Sequence, residues 1–329
     1  MTASHPLDES LEELVLGAPR RFTRLQVAEA AGLAPEEAHG LWRALGFPKV
    51  GDEEVVFTQR DVDAARLMAS LGDAGVLAPE VREAVARAVA QSMARLAEWQ
   101  VGMVRRVVES QTEGESESGP GAPERSLELA AAVVPAFEEL QTYVWRRHLA
   151  ATIQRLFVTS APEDSDTWPL VVGFADMVGF THTTRKRSTG ELSEMIERFE
   201  AATTDVIADG HGRVVKTVGD EVLFVADEIA DGARIALTLR DRVRTEPALP
   251  QLRIGLAAGP VLARYGDVYG EVVNIASRLT AHARPDSVLV DRTVAEALQA
   301  DPGFALRPLR PVAVRGYRNL HPWRLETGS

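Results

Sequence analysis

The hydrophobic pattern of the chain changes type near residue 169, and this change constrains the fold more than any other feature. In three stretches between Leu25 and Val108, apolar residues recur every three or four positions, which is the spacing of helices that bury one face. After Pro169, short apolar and β-branched runs alternate with helical patterns. The sequence therefore predicts an all-α first half followed by an α+β second half.

A polar stretch divides the two halves. Residues 111–125, QTEGESESGPGAPER, are rich in Gly, Pro, Ser and Glu and hold no large apolar residue, which is typical of a mobile acidic linker. A connecting helix is predicted over 126–157, and a polar break is predicted from Pro162 to Trp168. These boundaries predict a helical domain over 1–160 and a second domain over 165–329.

The second half shows the order strand, helix, strand, strand, helix, strand, then further elements. Strands are predicted near 170–176, 213–217, 222–226, 252–258 and 287–290, with helices near 190–208, 229–244, 272–283 and 292–299. This order resembles a ferredoxin-like, or split βαβ, sandwich. In such a fold, helices cover one face of a mainly antiparallel sheet.

Composition excludes several classes of function. Lys and Arg total 36 against 48 Asp and Glu, and the resulting net charge of −12 argues against broad binding to nucleic acid or to anionic membranes. The absence of cysteine excludes disulfides and thiolate chemistry. The acidic first residues do not resemble a secretion signal, and the longest uncharged apolar run, Ala130 to Phe137, is too short to span a membrane. A soluble cytoplasmic protein is expected.

Two aspartates carry the main functional signal. Asp176 in VVGFADMVGFT and Asp220 in VVKTVGDEVLF each stand where a buried-strand pattern breaks into a turn containing glycine. Val214 to Phe224 predicts a hairpin whose turn presents Asp220. Carboxylates offered by neighbouring strands suit Mg²⁺ or Mn²⁺, although a solvated acidic strand end is the alternative for either residue alone.

Three spaced motifs give the second half a resemblance to class III nucleotidyl cyclase domains, across roughly residues 168–325. They are GFADMVGFT with Asp176, KTVGDE with Lys216 and Asp220, and DVYGEVVNIASRL with Asp267, Asn274 and Arg278. The resemblance implies cyclisation of a nucleoside triphosphate with loss of pyrophosphate. It also implies two Mg²⁺ or Mn²⁺ ions per site, held by Asp176, Asp220 and the backbone carbonyl of Met177.

The same resemblance assigns the remaining site residues. Backbone groups of Gly179, Phe180 and Thr181 would face the phosphates, and Arg315 would contact the triphosphate. Asn274 and Arg278 are four residues apart and so share one helix face, where they would orient the ribose and neutralise the α-phosphate. A surface Asn and a solvated Arg on an amphipathic helix are the alternative.

Base choice is predicted from Lys216 and Asp267, which occupy the positions that read adenine in the family. A lysine donates to adenine N1 and an aspartate accepts from the amino group, whereas guanine presents the opposite polarity. ATP is therefore the expected substrate and cyclic AMP the expected product. The family also shares each site between two subunits, which predicts a homodimer with two equivalent sites. The alternatives are a diguanylate cyclase-like enzyme and a nucleotide-binding transcription regulator.

The first half resembles the helical regulatory domain of some actinobacterial soluble cyclases, including autoinhibitory, pH-responsive ones. The resemblance rests on RLQVAEAAGLAPEEAHGLWRALGFP, and the Gly32 region also resembles a helix-turn-helix of the MerR type. Because Glu36 and Glu37 begin the second helix, packing against protein is favoured over binding DNA. His148 and His182 are candidate pH sensors, and an apolar ligand of the regulatory domain is a further possibility.

Overall fold

The computed structural model of the protein describes residues 6–111, 122–158, 167–180, 184, 187–264, 266–314 and 317–328. The chain divides into two compact units, Met1–Thr159 and Ser160–Ser329. The helices of the first unit are α1 (Pro6–Leu16), α2 (Arg24–Ala31), α3 (Pro35–Ala44), α4 (Gln59–Asp73), α5 (Pro79–Gln111) and α6 (Ala122–Val158).

Side-chain caps fix where two helices of the first unit, α2 and α4, begin. Thr23 and Gln26 form a capping box at the start of α2, with each side chain bonded to the backbone N–H of the other. Thr58 and Asp61 do the same at the start of α4. Gly32, at φ 70°, ends α2 in the left-handed conformation that glycine adopts without steric cost. The local sequence therefore fixes these boundaries.

An aromatic and aliphatic cluster holds these helices together. Phe22 and Phe57 form an isolated antiparallel bridge, and Phe57 is buried with Val27 and Val62. The ring of Trp42 meets Phe57 edge to face at 4.4 Å between centroids. The helix-turn-helix arrangement of α2 and α3 is thus part of the packed core of this unit.

The predicted linker over 111–125 is too wide. α5 extends to Gln111 and α6 already begins at Ala122, four residues before the predicted start of the connecting helix. Ala, Glu and Arg in the segment APER are good helix formers, and Pro123 lies in the first turn, where proline is tolerated. The remaining predicted linker residues, 112–121, lie outside the described residues.

The second unit is an α+β fold built on one large sheet, as predicted. Its strands are β1 (Thr167–Met177), β2 (Gly212–Val218), β3 (Glu221–Ala226), β4 (Leu252–Arg264), β5 (Asp267–Tyr269), β6 (Ser287–Val290), β7 (Phe304–Pro308), β8 (Val312–Val314), β9 (Tyr317–Leu320) and β10 (Trp323–Thr327). Its helices are α7 (Thr189–Asp209), α8 (Ile229–Arg244), α9 (Glu271–His282) and α10 (Arg292–Leu298). The sheet order is β2-β3-β1-β4-β6-β10-β7, with β5 paired to β4, and the β4–β6 pair is parallel while the other ladders are antiparallel.

Helices cover both faces of this sheet, so the prediction that they cover one face is wrong. On one face, residues such as Val171 and Ala175 of β1 pack with α7, α8 and α10. On the other face, Val172 and Phe174 of β1 pack with Ala276 of α9. The physical reason is that β1 is apolar at successive positions and so needs cover on both sides. The strand also begins at Thr167, inside the predicted polar break.

Within the described residues, the helices are all too short or too polar to cross a membrane.

Candidate active site

Asp176 lies near the end of β1, where three strands meet. In the antiparallel registers it stands opposite Glu221 of β3 and Arg253 of β4, and it is 8% exposed. The backbone N–H of Met177 donates to the carbonyl of Asp220 at 3.0 Å, which ties the β2–β3 turn to the end of β1. The predicted hairpin therefore brings Asp220 to the end of β1 that carries Asp176.

Negative charge is concentrated at these strand ends. Burial raises the pKa of Asp176 above its ordinary value, against the hydrogen bond and charge of Arg253, and the neighbouring charge of Asp220 raises it further. The pKa of Glu221 is raised by burial and then by the charges of Asp176 and Asp220. Carboxylates that raise one another's pKa form a site that a cation would stabilise.

The carboxylates fit a divalent ion of the Mg²⁺ or Mn²⁺ type. Asp176 and Asp220 offer hard oxygen ligands. The backbone carbonyl of Met177, which was predicted as a further metal ligand, belongs to the same end of β1. Among the described residues, no three His, Cys, Asp or Glu side chains come together as a metal site. An ion held here would therefore complete its coordination with backbone oxygens, water or phosphate, which is common for Mg²⁺.

Arg253 is a site residue that the sequence reasoning missed. Its Nε donates to Oδ2 of Asp176, and its side chain keeps 39% of its surface exposed. A signal was present, because Arg253 is the single charge in the otherwise apolar strand run LRIGLAAG. Glu221, the residue directly after Asp220, was missed as well.

The chain turns directly after the end of β1 that carries Asp176. Val178 and Gly179 form a turn, with Gly179 at φ 76°, and helical geometry begins at Phe180. Phe180 also packs against the core of the α7 and α8 face. Of the other residues predicted near the phosphates, Thr181 and Arg315 lie outside the described residues, as does His182.

The structure brings Lys216 and Asp267 together, although they are 51 residues apart. Nζ of Lys216 donates to Oδ2 of Asp267 at 2.5 Å, and the N–H of Val268 donates to Oδ1 at 2.8 Å. Burial raises the pKa of Asp267, but the hydrogen bonds from Lys216 and Val268 outweigh it, so the pKa is lower than usual. Asp267 is therefore an ionised acceptor held beside a fixed cationic donor.

Asn274 and Arg278 both lie on α9, which covers the second face of the sheet. Asn274 is exposed, whereas Nε of Arg278 is buried and has no hydrogen-bond partner in the described part of the chain. Neither residue bonds to Asp176 or Asp220 in the described structure. A buried guanidinium N–H without an acceptor is uncommon and fits a group that bonds to a ligand.

The first unit holds the remaining predicted residues. His148 is exposed on α6. A cavity of about 520 Å³ lies among α2, α3, α4 and α5, with mainly apolar walls that include Leu33, Trp42, Met68 and Met93. An apolar ligand in this cavity stays a prediction.

Comparison with known proteins identifies the family. Residues 165–327 match the adenylate and guanylate cyclase catalytic domain. An adenylate cyclase from Streptomyces coelicolor is 40% identical over an alignment that covers 97% of this chain and 90% of the relative. The chain belongs to this cyclase family. The family resemblance predicted from the three motifs is thus confirmed.

Further relatives of the cyclase match over most of their length. An adenylate cyclase from Glutamicibacter nicotianae is 36% identical and covers 97% of this chain and 82% of its own. A pH-sensitive adenylate cyclase from Mycobacterium tuberculosis is 29% identical and covers 92% of this chain and 78% of its own. Their similarity extends beyond the catalytic domain into the helical first half.

Proposed function

We propose that the chain is an adenylate cyclase that converts ATP to 3′,5′-cyclic AMP and pyrophosphate. The observation that carries the proposal is the ion pair of Lys216 and Asp267, which sets a donor beside an acceptor. Adenine presents the matching polarity, because N1 accepts and the neighbouring amino group donates. Guanine has a donor at N1 and an acceptor at O6, so Lys216 would face a donor and Asp267 an acceptor. Both protein groups would then lack a hydrogen-bond partner. The names of the relatives from Streptomyces and Glutamicibacter support the same substrate.

Asp176 and Asp220 are the proposed ligands of two Mg²⁺ or Mn²⁺ ions, with the backbone carbonyl of Met177. When bound, such ions lower the pKa of the ribose 3′-hydroxyl and neutralise the triphosphate. Nε of Arg253 donates to the carboxylate of Asp176. If that carboxylate bound a cation instead, the guanidinium would be free to pair with a phosphate, for which its planar fork is suited. Backbone N–H groups at Gly179 and Phe180 are the proposed phosphate donors next to it.

Asn274 and Arg278 are the proposed transition-state residues. Nε of Arg278, which has no hydrogen-bond partner in the described structure, would donate to an α-phosphate oxygen. Negative charge grows on that oxygen as the 3′-oxygen attacks. Asn274, exposed on the preceding turn of α9, would orient the ribose.

The proposed enzyme is a homodimer with two equivalent sites, each taking Asp176 and Asp220 from one chain and Asn274 and Arg278 from its partner. The supporting observation is that one chain holds both sets, with no bond between them in the part of the chain that the structure describes. A twofold axis would then create two complete sites from the same contacts. Family membership supports this enzyme over a diguanylate cyclase or a transcription regulator.

We further propose that residues 1–160 regulate the enzyme by biasing the arrangement of the two chains. The support is that named adenylate cyclases match this chain over its helical half as well. One matching relative is named as pH-sensitive, which keeps His148 as a candidate sensor. Binding of an apolar ligand in the cavity of the first unit is a second proposed way to bias the arrangement of the two chains.

Complementation of two inactive variants tests the shared site. Asp176→Ala and Arg278→Ala should each abolish cyclic AMP formation from ATP. Their co-refolded mixture should regain about a quarter of wild-type activity, because half of the dimers are hybrids and each hybrid has one intact site of two. Asp205→Ala and Arg292→Ala, which change exposed residues of the same types, should stay active alone. Absence of recovery in a mixture shown by native mass spectrometry to contain hybrids would refute the shared site.

A further inference from the structure

Helix α9 lies unusually close to strand β4 at one glycine. A Cβ added to Gly255 would stand 2.4 Å from the backbone N of Thr280 and 2.5 Å from the carbonyl oxygen of Ala276. These are backbone atoms of α9, so they cannot move aside as a flexible side chain does. Gly255 therefore forms a notch that lets the helix backbone rest on the sheet.

Thr280 occupies this notch and connects the helix to a second strand. The residue is 2% exposed, and its hydroxyl lies 3.0 Å from the carbonyl of Ala276 and 3.2 Å from the carbonyl of Phe174. Phe174 is the β1 residue that stands opposite Gly255 in the β1–β4 register. A helical threonine commonly bonds to the carbonyl four residues earlier. The hydroxyl has one hydrogen, so here the carbonyls of Ala276 and Phe174 share it, and this shared bond links the helix to β1.

We propose that Thr280 is a positioning residue, whose bond to β1 fixes the rotation of α9 and with it Asn274 and Arg278. Among the described residues, the other contacts of α9 with β1 are apolar, including those of Val272 and Ala276, and hydrophobic attraction has no preferred direction. A hydrogen bond does, since it weakens steeply away from linear geometry. Displacement of a catalytic group by about 1 Å can cost on the order of 100-fold in rate. This inference rests on the proposed roles of Asn274 and Arg278.

The contact also joins elements that serve different sites in the proposed dimer. Phe174 precedes Asp176 by two residues on β1, whereas Thr280 follows Arg278 by two residues on α9. Within one chain, Asp176 and Arg278 belong to opposite sites. The effect of Thr280 is expected at the site that receives Arg278, because a helix lying on a sheet can rotate while β1 is fixed by ladders on both sides.

Two substitutions separate the hydroxyl from the shape of the side chain. Thr280→Val keeps the branched shape and removes the hydroxyl, and Thr280→Ser keeps the hydroxyl and removes a buried methyl group. We expect Thr280→Val to lower kcat by about 10- to 100-fold, with KM for ATP and the Mn²⁺ dependence changed by less than about twofold. Thr280→Ser should keep kcat within about threefold of wild type, although its lost methyl lowers the Tm.

A role in stability alone would make activity follow Tm in both variants, and that result would overturn the inference, as would a fully active Thr280→Val. If Thr280→Val does not fold, Thr280→Ala takes its place, because it also lacks the hydroxyl. It should then fall below Thr280→Ser in kcat at temperatures where both are folded. Equal kcat values for the two would refute the role of the hydroxyl.

Hybrid dimers give the second readout. Thr280→Val is placed either on the Asp176→Ala chain, which supplies Arg278 to the intact site, or on the Arg278→Ala chain, which supplies Asp176. Activity of the hybrid should fall about 10- to 100-fold only in the first arrangement. A loss only in the second arrangement, or an equal loss in both, would overturn the inference. An active Arg278→Ala enzyme would instead refute the proposed role of Arg278 and would leave the packing of Thr280 unaffected.

Discussion

Replacing Asp220 by Asn should separate metal binding from folding. Asp176, Asp220 and Glu221 lie at the same strand ends as the guanidinium of Arg253. Asp220 raises the pKa of both other carboxyls, so its charge makes their ionised forms less favourable. Removing that charge should therefore leave the metal-free fold at least as stable as wild type, while the cation loses a ligand.

The size of the effect follows from linkage. A ligand present at 100 times its Kd and bound only by the folded state adds about 2.7 kcal/mol to the free energy of unfolding. For a unit of this size, 1 kcal/mol shifts Tm by about 2–4 °C, so saturating Mn²⁺ should raise the Tm of the wild type by about 5–11 °C. Asp220→Asn should show a shift near zero.

Thermal unfolding of the full chain, followed with EDTA or with increasing Mn²⁺, measures both effects. Asp227→Asn is the matched control, since Asp227 is an exposed carboxylate directly beyond the other end of β3, and it should keep the full Mn²⁺ shift. Two results would refute the reasoning. One is an Asp220→Asn chain that keeps the Mn²⁺ shift, and the other is a metal-free variant that melts well below wild type.

Two further predictions concern pH and the base. Because the pKa of Asp176 is raised, the carboxyl becomes neutral at a higher pH than usual, so cyclase activity at limiting Mn²⁺ should fall as the pH drops toward that raised pKa and should recover with more Mn²⁺. The folded state binds that proton more tightly than the unfolded state, so the contribution of Asp176 to stability should decrease as pH rises from about 3.8 through the raised pKa. Thermal unfolding of wild type and Asp176→Asn in EDTA measures this contribution, and an increase over that pH range would contradict the assignment. Lys216→Met and Asp267→Asn should each lower kcat/KM for ATP by about 10- to 100-fold, from the loss of a hydrogen bond to a charged group. A double-mutant cycle should show coupling between them, since they are in direct contact, and strict additivity would exclude a joint role.

The placement of Asp176 and Asp220 was predictable because both follow from local patterns. A strand pattern ending at Asp176 and a hairpin turning at Asp220 each specify a strand end. Arg253 was not predictable in the same way. Its contact with Asp176 depends on the register of two strands paired across 77 residues, and an apolar run does not encode its register with a distant strand. The same holds for Gly255 and Thr280.

The error about the sheet faces has a different origin. The spacing of Val272, Ala276 and Leu279 identifies the buried stripe of α9 but not the sheet face that it covers. The missing information was in β1, where apolar residues follow one another instead of alternating with polar ones. A strand of this kind must be covered on both sides, which requires at least one helix on the second face.

The arrangement of the second unit limits how the proposed enzyme can be regulated. β1 carries Asp176, is paired on both edges and is buried on both faces, so its end cannot move without breaking two ladders. The notch at Gly255 leaves α9 no space to sink toward the sheet, and the ion pair of Lys216 and Asp267 joins β2 to β5 across the same face. With these described parts fixed inside one chain, the arrangement of the two chains in the proposed homodimer is a variable on which regulation can act. A regulator acting on that arrangement would change both sites together, and would do so without touching any residue that binds ATP.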